Sequence, residues 1–163
     1  MERTRRNRVL AAATAVLSAA LLTGCATGFN ATSIKPYAPS DGVEANSGDI
    51  RVLNLLVVST GANGVVSASI VNRGTSRDAL TDLTSPDGTV DLTGNGKIPP
   101  KAAIRLGAGT ETSATVSGLT KLPGETITLK LTFRRADPVT IRTVVVPASG
   151  VYSSITPAPT ATG

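Results

Sequence analysis

The chain has 163 residues with 16 Lys/Arg against 11 Asp/Glu, a formal net charge of +5, one Cys, one Met and no His. Without an imidazole, Ser-His-Asp and Cys-His nucleophilic sites are excluded, as is the side chain whose unperturbed pKa changes charge between pH 5 and 8. A single Cys permits no internal disulfide, so the domain must hold by packing alone.

The chain opens on Arg3, Arg5, Arg6 and Arg8, followed by an apolar stretch from Val9 to Leu22. A basic head before an apolar run is the layout of a secretory signal peptide. The run holds 14 residues, short of the roughly 20 that a helix needs to cross about 30 Å of hydrocarbon, so it reads as an export signal. Arg8 stands where a twin-arginine signal wants an apolar residue, which favours the general secretory route.

Leu22-Thr23-Gly24-Cys25 resembles a bacterial lipobox, at which a diacylglycerol is attached to the Cys sulfur and the peptide is cut just before it. Small residues at Thr23 and Gly24 suit an extended backbone entering a protease site. The resemblance implies an exported chain held on the outer face of the cell membrane through lipid on Cys25. Each buried methylene contributes about 0.8 kcal/mol, so two or three acyl chains hold a protein where one myristoyl chain does not.

Four of the sixteen Lys/Arg and one of the eleven Asp/Glu fall within residues 1–24, leaving twelve basic and ten acidic side chains on 139 residues. That balance gives no argument for nucleic acid or an anionic membrane patch. A chain of this length suits one domain with loose ends. Residues 25–48, rich in Ala, Ser, Thr, Asn and Pro, read as a lipidated Cys and flexible tether, and residues 148–163 as a disordered tail. The domain is expected over 49–147.

Within it the hydrophobic period is two. Residues 49–58 and 65–72 flank Gly61-Ala62-Asn63-Gly64, where Asn-Gly is expected to supply a hairpin's positive φ. Shorter strands are expected near 79–84, 88–92, 101–106 and 112–117, with turns at Pro86-Asp87-Gly88, Asn95-Gly96 and Pro123-Gly124. Ile127, Leu129, Leu131 and Phe133 alternate with polar residues, and Val139, Ile141 and Val145 share a face opposite Arg142. No helical period and no 20–50-residue repeat is present. The pattern predicts an all-β, antiparallel Greek-key β-sandwich, cupredoxin- or immunoglobulin-like, of seven or eight strands; a small barrel is the alternative. Of the four aromatics, Phe29, Tyr37, Phe133 and Tyr152, only Phe133 falls in a patterned strand. Stacking sites for sugar or single-stranded nucleic acid are therefore disfavoured.

Two long stretches, Ser67–Leu92 and Ile98–Phe133, resemble the periplasmic PCuAC-type copper chaperones in their turns and their "L-x-x-G-x-x-x-x-L-x-L-x-F" ending. The match runs from about Ile50 to Pro147. With the lipobox and the Ala/Thr-rich tails, it resembles the actinobacterial lipoprotein branch of that family, the LpqE type. The resemblance implies a β-sandwich and a His/Met set for Cu(I). It would put a His-x-Met pair at about Thr112-Ser113-Ala114 and a further His near Thr93, and no position carries either residue. The only Met is Met1. Copper(I) selects thiolate, thioether or imidazole, and the resemblance therefore implies the fold without the metal chemistry.

Asp78, Asp82, Asp87 and Asp91 lack the alternate spacing of a calcium loop and read as turn carboxylates. No "S-x-x-K" occurs. Arg73, Arg77, Lys97 and Lys101 flank turns, and Arg134-Arg135 end a strand before Asp137; these cations read as edge protection or as a rim for an acidic partner or anionic envelope polymer, Arg73, Arg77, Lys97 and Lys101 being the rim candidates. The expectation is a non-catalytic binding or scaffold module on the outer face of the membrane, without cofactor and without nucleic acid. A copper-chaperone-like accessory is the alternative, and a carboxylate hydrolase the third reading.

Overall fold

The computed structural model describes residues 41–155; the expected export signal, Leu22, Thr23, Gly24, Cys25 and most of the expected tether lie outside them. Ten strands follow one another: β1 (Val43–Ser47), β2 (Ile50–Ser59), β3 (Asn63–Asn72), β4 (Asp78–Thr84), β5 (Thr89–Thr93), β6 (Lys97–Ile98), β7 (Ala103–Leu106), β8 (Ser113–Ser117), β9 (Thr126–Phe133) and β10 (Val139–Pro147). One short 3-10 turn, Gly150–Tyr152, comes after them.

The alternation of β9 places Ile127, Leu129, Leu131 and Phe133 inside, and all four are buried. They pack with Leu80 and Leu83 of β4 against Val52, Leu55 and Val57 of β2 and Val66 and Ile70 of β3. One layer therefore runs β5-β8-β3-β2, with β7 also on β3 and β1 also on β2; the other runs β10-β9-β4-β6. Two sheets facing across one apolar core is the expected sandwich.

The layers are joined by β10. Val139 to Val144 pair antiparallel with β9, and Val145 to Pro147 then pair parallel with Val57 to Ser59 of β2. The expectation of a wholly antiparallel sandwich is corrected at this one pair, because a strand that leaves one sheet for the other meets its new neighbour in the same direction. Thr143, buried just before the change of sheet, donates its hydroxyl to the Leu55 carbonyl. That bond ties the two layers where the ladder changes partner.

The apolar phase of β2 changes midway. Ile50 and Val52 face the main core, and after a bulge between Leu53 and Leu56 so do Leu55 and Val57. The extra residue inverts which parity points inward. Asn54 sits in the bulge with φ 51°, and its Oδ1 accepts the Gly42 N–H at 3.0 Å.

Four further expectations are corrected. Residues 43–47, placed in the tether, form β1, which pairs with Ile50 to Leu55. Residues 148–155, placed in the disordered tail, pack instead: Leu56, Val58 and Val146 form a second apolar cluster, against which Val144, Ala148, Tyr152 and Ile155 lie. In the first hairpin the positive φ belongs to Gly61, at 96°, while Asn63 and Gly64 already lie in β3. With β1 and the two-residue β6 added, the strand count is ten rather than seven or eight.

Candidate functional site

Thr93 ends β5 and Ser113 opens β8, and the register places them directly opposite each other. Their hydroxyls hydrogen-bond at 2.6 Å. Thr89 opposite Ser117, and Asp91 opposite Thr115, continue the same solvent face. Val90 and Leu92, the intervening residues of β5, pack against the core. The face is hydroxyl-rich because it is the polar half of an ordinary alternating pair of strands.

Thr112 and Ala114 turn the other way. Both are buried, and Thr112 Oγ1 accepts the Gly96 N–H at 3.3 Å. So the positions at which the sequence resemblance would put copper ligands do not converge: Thr112 and Ala114 face inward, while Thr93 faces solvent and meets Ser113, the residue between the expected pair. The donors at these three expected positions are two hydroxyl oxygens, with no sulfur and no ring nitrogen. Cu(I) binds sulfur and imidazole, and this donor set does not fit it. Among the described residues, no three of His, Cys, Asp and Glu converge on a point that could hold a metal ion.

A different constellation lies at one end of the sandwich, where the loops 73–77, 99–102 and 134–138 and the Gly48-Asp49 turn gather. Asn72, 1% exposed, organises it. Its Nδ2 donates to the Ser76 carbonyl at 2.8 Å and to the Ile98 carbonyl at 3.3 Å, and its Oδ1 accepts the Gly74 N–H at 2.9 Å. Asp78 closes the same loop: its Oδ1 accepts from the N–H groups of Ala79 and Arg135, its Oδ2 from that of Ala136, all within 2.8 to 3.0 Å. The buried carboxylate is thus satisfied by backbone.

These loops present Arg73, Arg77, Lys97, Lys101, Arg134 and Arg135, all exposed. Of the predicted rim, Arg77 and Lys97 are brought together with Arg134 around a cleft of about 310 Å³, walled by Pro99, Pro100 and Ile98. The backbone explains the convergence. Lys97 is the register partner of Ala79, and Ala79 also accepts the Arg134 N–H at 2.9 Å. Lys97 is held there by Gly96, whose φ of 57° suits glycine and whose Cβ, if present, would lie 2.1 Å from the Leu80 carbonyl oxygen. Arg73 and Lys101 sit beside the cleft rather than in it, with Lys101 Nζ donating to the Arg73 carbonyl. Among the described residues, ion pairs form only between Arg51 and Glu44 and between Lys121 and Asp87. Arg134, at the end of β9, neighbours Lys97 only through β4, so its place in the same cleft carries no local sequence signal.

The remaining acids stay apart in role. Asp87 takes the Thr128 N–H at 3.1 Å and faces Lys121 at 3.6 Å, while Asp82 and Asp91 are exposed. Tyr152, on the ordered C-terminal turn, donates its phenol to Asp41 Oδ2 at 2.7 Å. That bond, with some burial and the nearby negative charge, holds the phenol above the usual 10.0.

The architecture defines an all-β, two-layer sandwich of the kind seen in copper-chaperone domains. Among solved structures it is similar to the apo PCuAC domain from PmoF1, with TM-score 0.59 and 20% identity over 64% of this chain and 99% of that domain. The copper-bound PCuAC domain from PmoF2 matches with TM-score 0.57 and 19% identity over 64% of this chain and 98% of that one, and its apo form with TM-score 0.56 and 18% identity over 66% and 98%. The likeness establishes a PCuAC-like fold. No protein-family model matches the chain, and no curated protein matches it.

Proposed function

We propose that this chain is an exported lipoprotein, anchored through diacylglycerol on Cys25 to the outer face of the cell membrane, whose PCuAC-like sandwich is a non-catalytic binding or scaffold module. It belongs, on this reading, with the actinobacterial lipoproteins of the PCuAC type, and carries the fold without the His/Met ligands. The observation that carries the reading is that Thr112, Ala114 and Thr93, where the sequence resemblance would put soft ligands, offer two hydroxyls and a methyl group on opposite faces, Thr112 and Ala114 buried and Thr93 exposed. Support for export comes from the basic head, the 14-residue apolar run and the Leu22-Thr23-Gly24-Cys25 motif. The chain has no His, and the one Cys sulfur is a lipid thioether once modified. The protein therefore works by contact, with another envelope component as its partner.

Replacing Cys25 by Ala tests the anchor: the protein should leave the detergent-dependent membrane fraction or accumulate as an unprocessed precursor. Unchanged fractionation would refute it. Crosslinking in the intact envelope should then recover a partner through the sandwich domain.

A second reading is favoured by the likeness to a PCuAC domain solved with copper bound. Here the chain is a copper-chaperone-like accessory that offers surface to a copper-loaded partner whose side chains hold the metal. Copper-dependent crosslinking to that partner separates it from the first.

A further inference from the structure

From the cleft at the basic end we infer that this module docks an acidic peptide segment of its partner, with carboxylates on Arg77, Lys97 and Arg134 and an apolar side chain against Pro99 and Pro100. The inference rests on the reading of the chain as a binding module and names the chemistry of what it binds.

The concentration of charge is the first observation. Arg73, Arg77, Lys97, Lys101, Arg134 and Arg135 are six of the twelve basic residues outside the signal segment, and they share one end of the sandwich. The acids at that end are Asp49, Asp78 and Asp137, and Asp78 has its carboxylate engaged with three backbone N–H groups. Among the described residues none of the six cations makes an ion pair.

Edge protection does not account for them. The sheet ends at β6, a strand of two residues followed directly by Pro99-Pro100. A very short edge strand and prolines already discourage edge-to-edge pairing, so the cations are surplus to that role.

The cleft also has a composition that selects its occupant. Guanidinium groups offer forked donors that match carboxylates. Ile98, Pro99 and Pro100 give the same cleft an apolar wall, with Ile98 buried beneath. A polyphosphate or other uniformly polar polyanion leaves that wall in water, whereas a peptide that alternates Asp or Glu with an aromatic side chain covers it. A volume of about 310 Å³ is at the small end of the roughly 300–1,000 Å³ of ligand pockets, enough for a short segment. The cleft is pre-organised by Asn72, Gly96 and Asp78, so docking needs no rearrangement of its backbone.

The test is fluorescence anisotropy of a fluorescein-labelled Asp-Glu-Phe-Asp-Glu peptide titrated with the full chain at low and high salt. Saturable binding that weakens as salt rises is expected. The Arg77→Ser, Lys97→Ser, Arg134→Ser triple variant should lose about tenfold in affinity, the sum of three solvent-exposed charge contacts. The Lys130→Ser, Arg142→Ser variant, with exposed cations on β9 and β10, should bind as the native chain does; a melting curve on each variant controls for folding. No saturable binding, or equal losses in both variants, overturns the inference. Tighter binding of polyphosphate of equal charge, or full affinity for a peptide with Ser in place of Phe, overturns it in favour of a polyanion. Any of these failures leaves the binding-module reading itself standing, because fractionation, crosslinking and copper titration test that separately.

Discussion

Asn72 occupies the last position of β3, where a hydrophobic residue would end the strand equally well, yet it is fully buried and bonded to three backbone groups, two in the 73–77 loop and one in β6. Asn72→Ala leaves the Gly74 N–H and the Ser76 and Ile98 carbonyls without that partner, a loss of about 2–3 kcal/mol. Urea unfolding should show a lower midpoint at unchanged slope; an unchanged midpoint would mean that water replaces the amide freely. The phenol of Tyr152 offers a pH test. Its folded pKa lies above the usual 10.0 through the Asp41 hydrogen bond, burial and the Asp41 charge. The protonated phenol is the form the fold favours, so its contribution is complete below pH 10 and is lost as pH rises through the higher folded value. Spectrophotometric titration should show a tyrosine ionising late, and Asp41→Asn should bring that transition down; no change in Asp41→Asn would contradict the bond. At this scale the sequence made Thr93, Ser113, Arg77 and Lys97 legible by type and position. It hid the Asp41–Tyr152 pair, separated by 111 residues, because that pair carries no local signal.

Among the elements, β9 has alternation and burial in agreement at all its positions. Leu129→Ala should cost about 2–5 kcal/mol, as a large-to-small change in a closed core, and denaturant unfolding would reveal it. Less legible elements depended on partners. Val43–Ser47 carries only two apolar residues and becomes a strand because Ile50 to Leu55 stand beside it. Lys97–Ile98 is too short to have a period. Gly61, not Asn63-Gly64, makes the first hairpin, since Asn63 and Gly64 pair with Ser117 and Val116 of β8. The run Leu55 to Val58, buried throughout, is explained by a cover on each face, and residues 148–155 supply part of the outer one. Deleting residues 148–163 should therefore uncover Leu56 and Val58, with a loss of about 2 kcal/mol and increased binding of an apolar dye. An unchanged Tm and no dye binding would show that the C-terminal turn contributes nothing to the fold.

For the molecule as a whole, the sandwich was readable because period two and regularly spaced turns extend over its length, while the passage of β10 between sheets was not, since parallel and antiparallel pairing leave the same alternation in one strand. Composition gave the sharper functional constraint: a chain without His and with a single Cys and a single Met carries a PCuAC-like fold whose Thr93, Thr112 and Ala114, at the expected ligand positions, are the wrong residues for Cu(I). The most direct test is a competitive Cu(I) titration of the Cys25→Ala chain, which removes the one thiol, against a chromophoric chelator under reducing conditions. The account predicts that the chelator keeps its copper throughout. Stoichiometric transfer of copper to the protein would contradict it and return the chain to the metal-carrying chaperones.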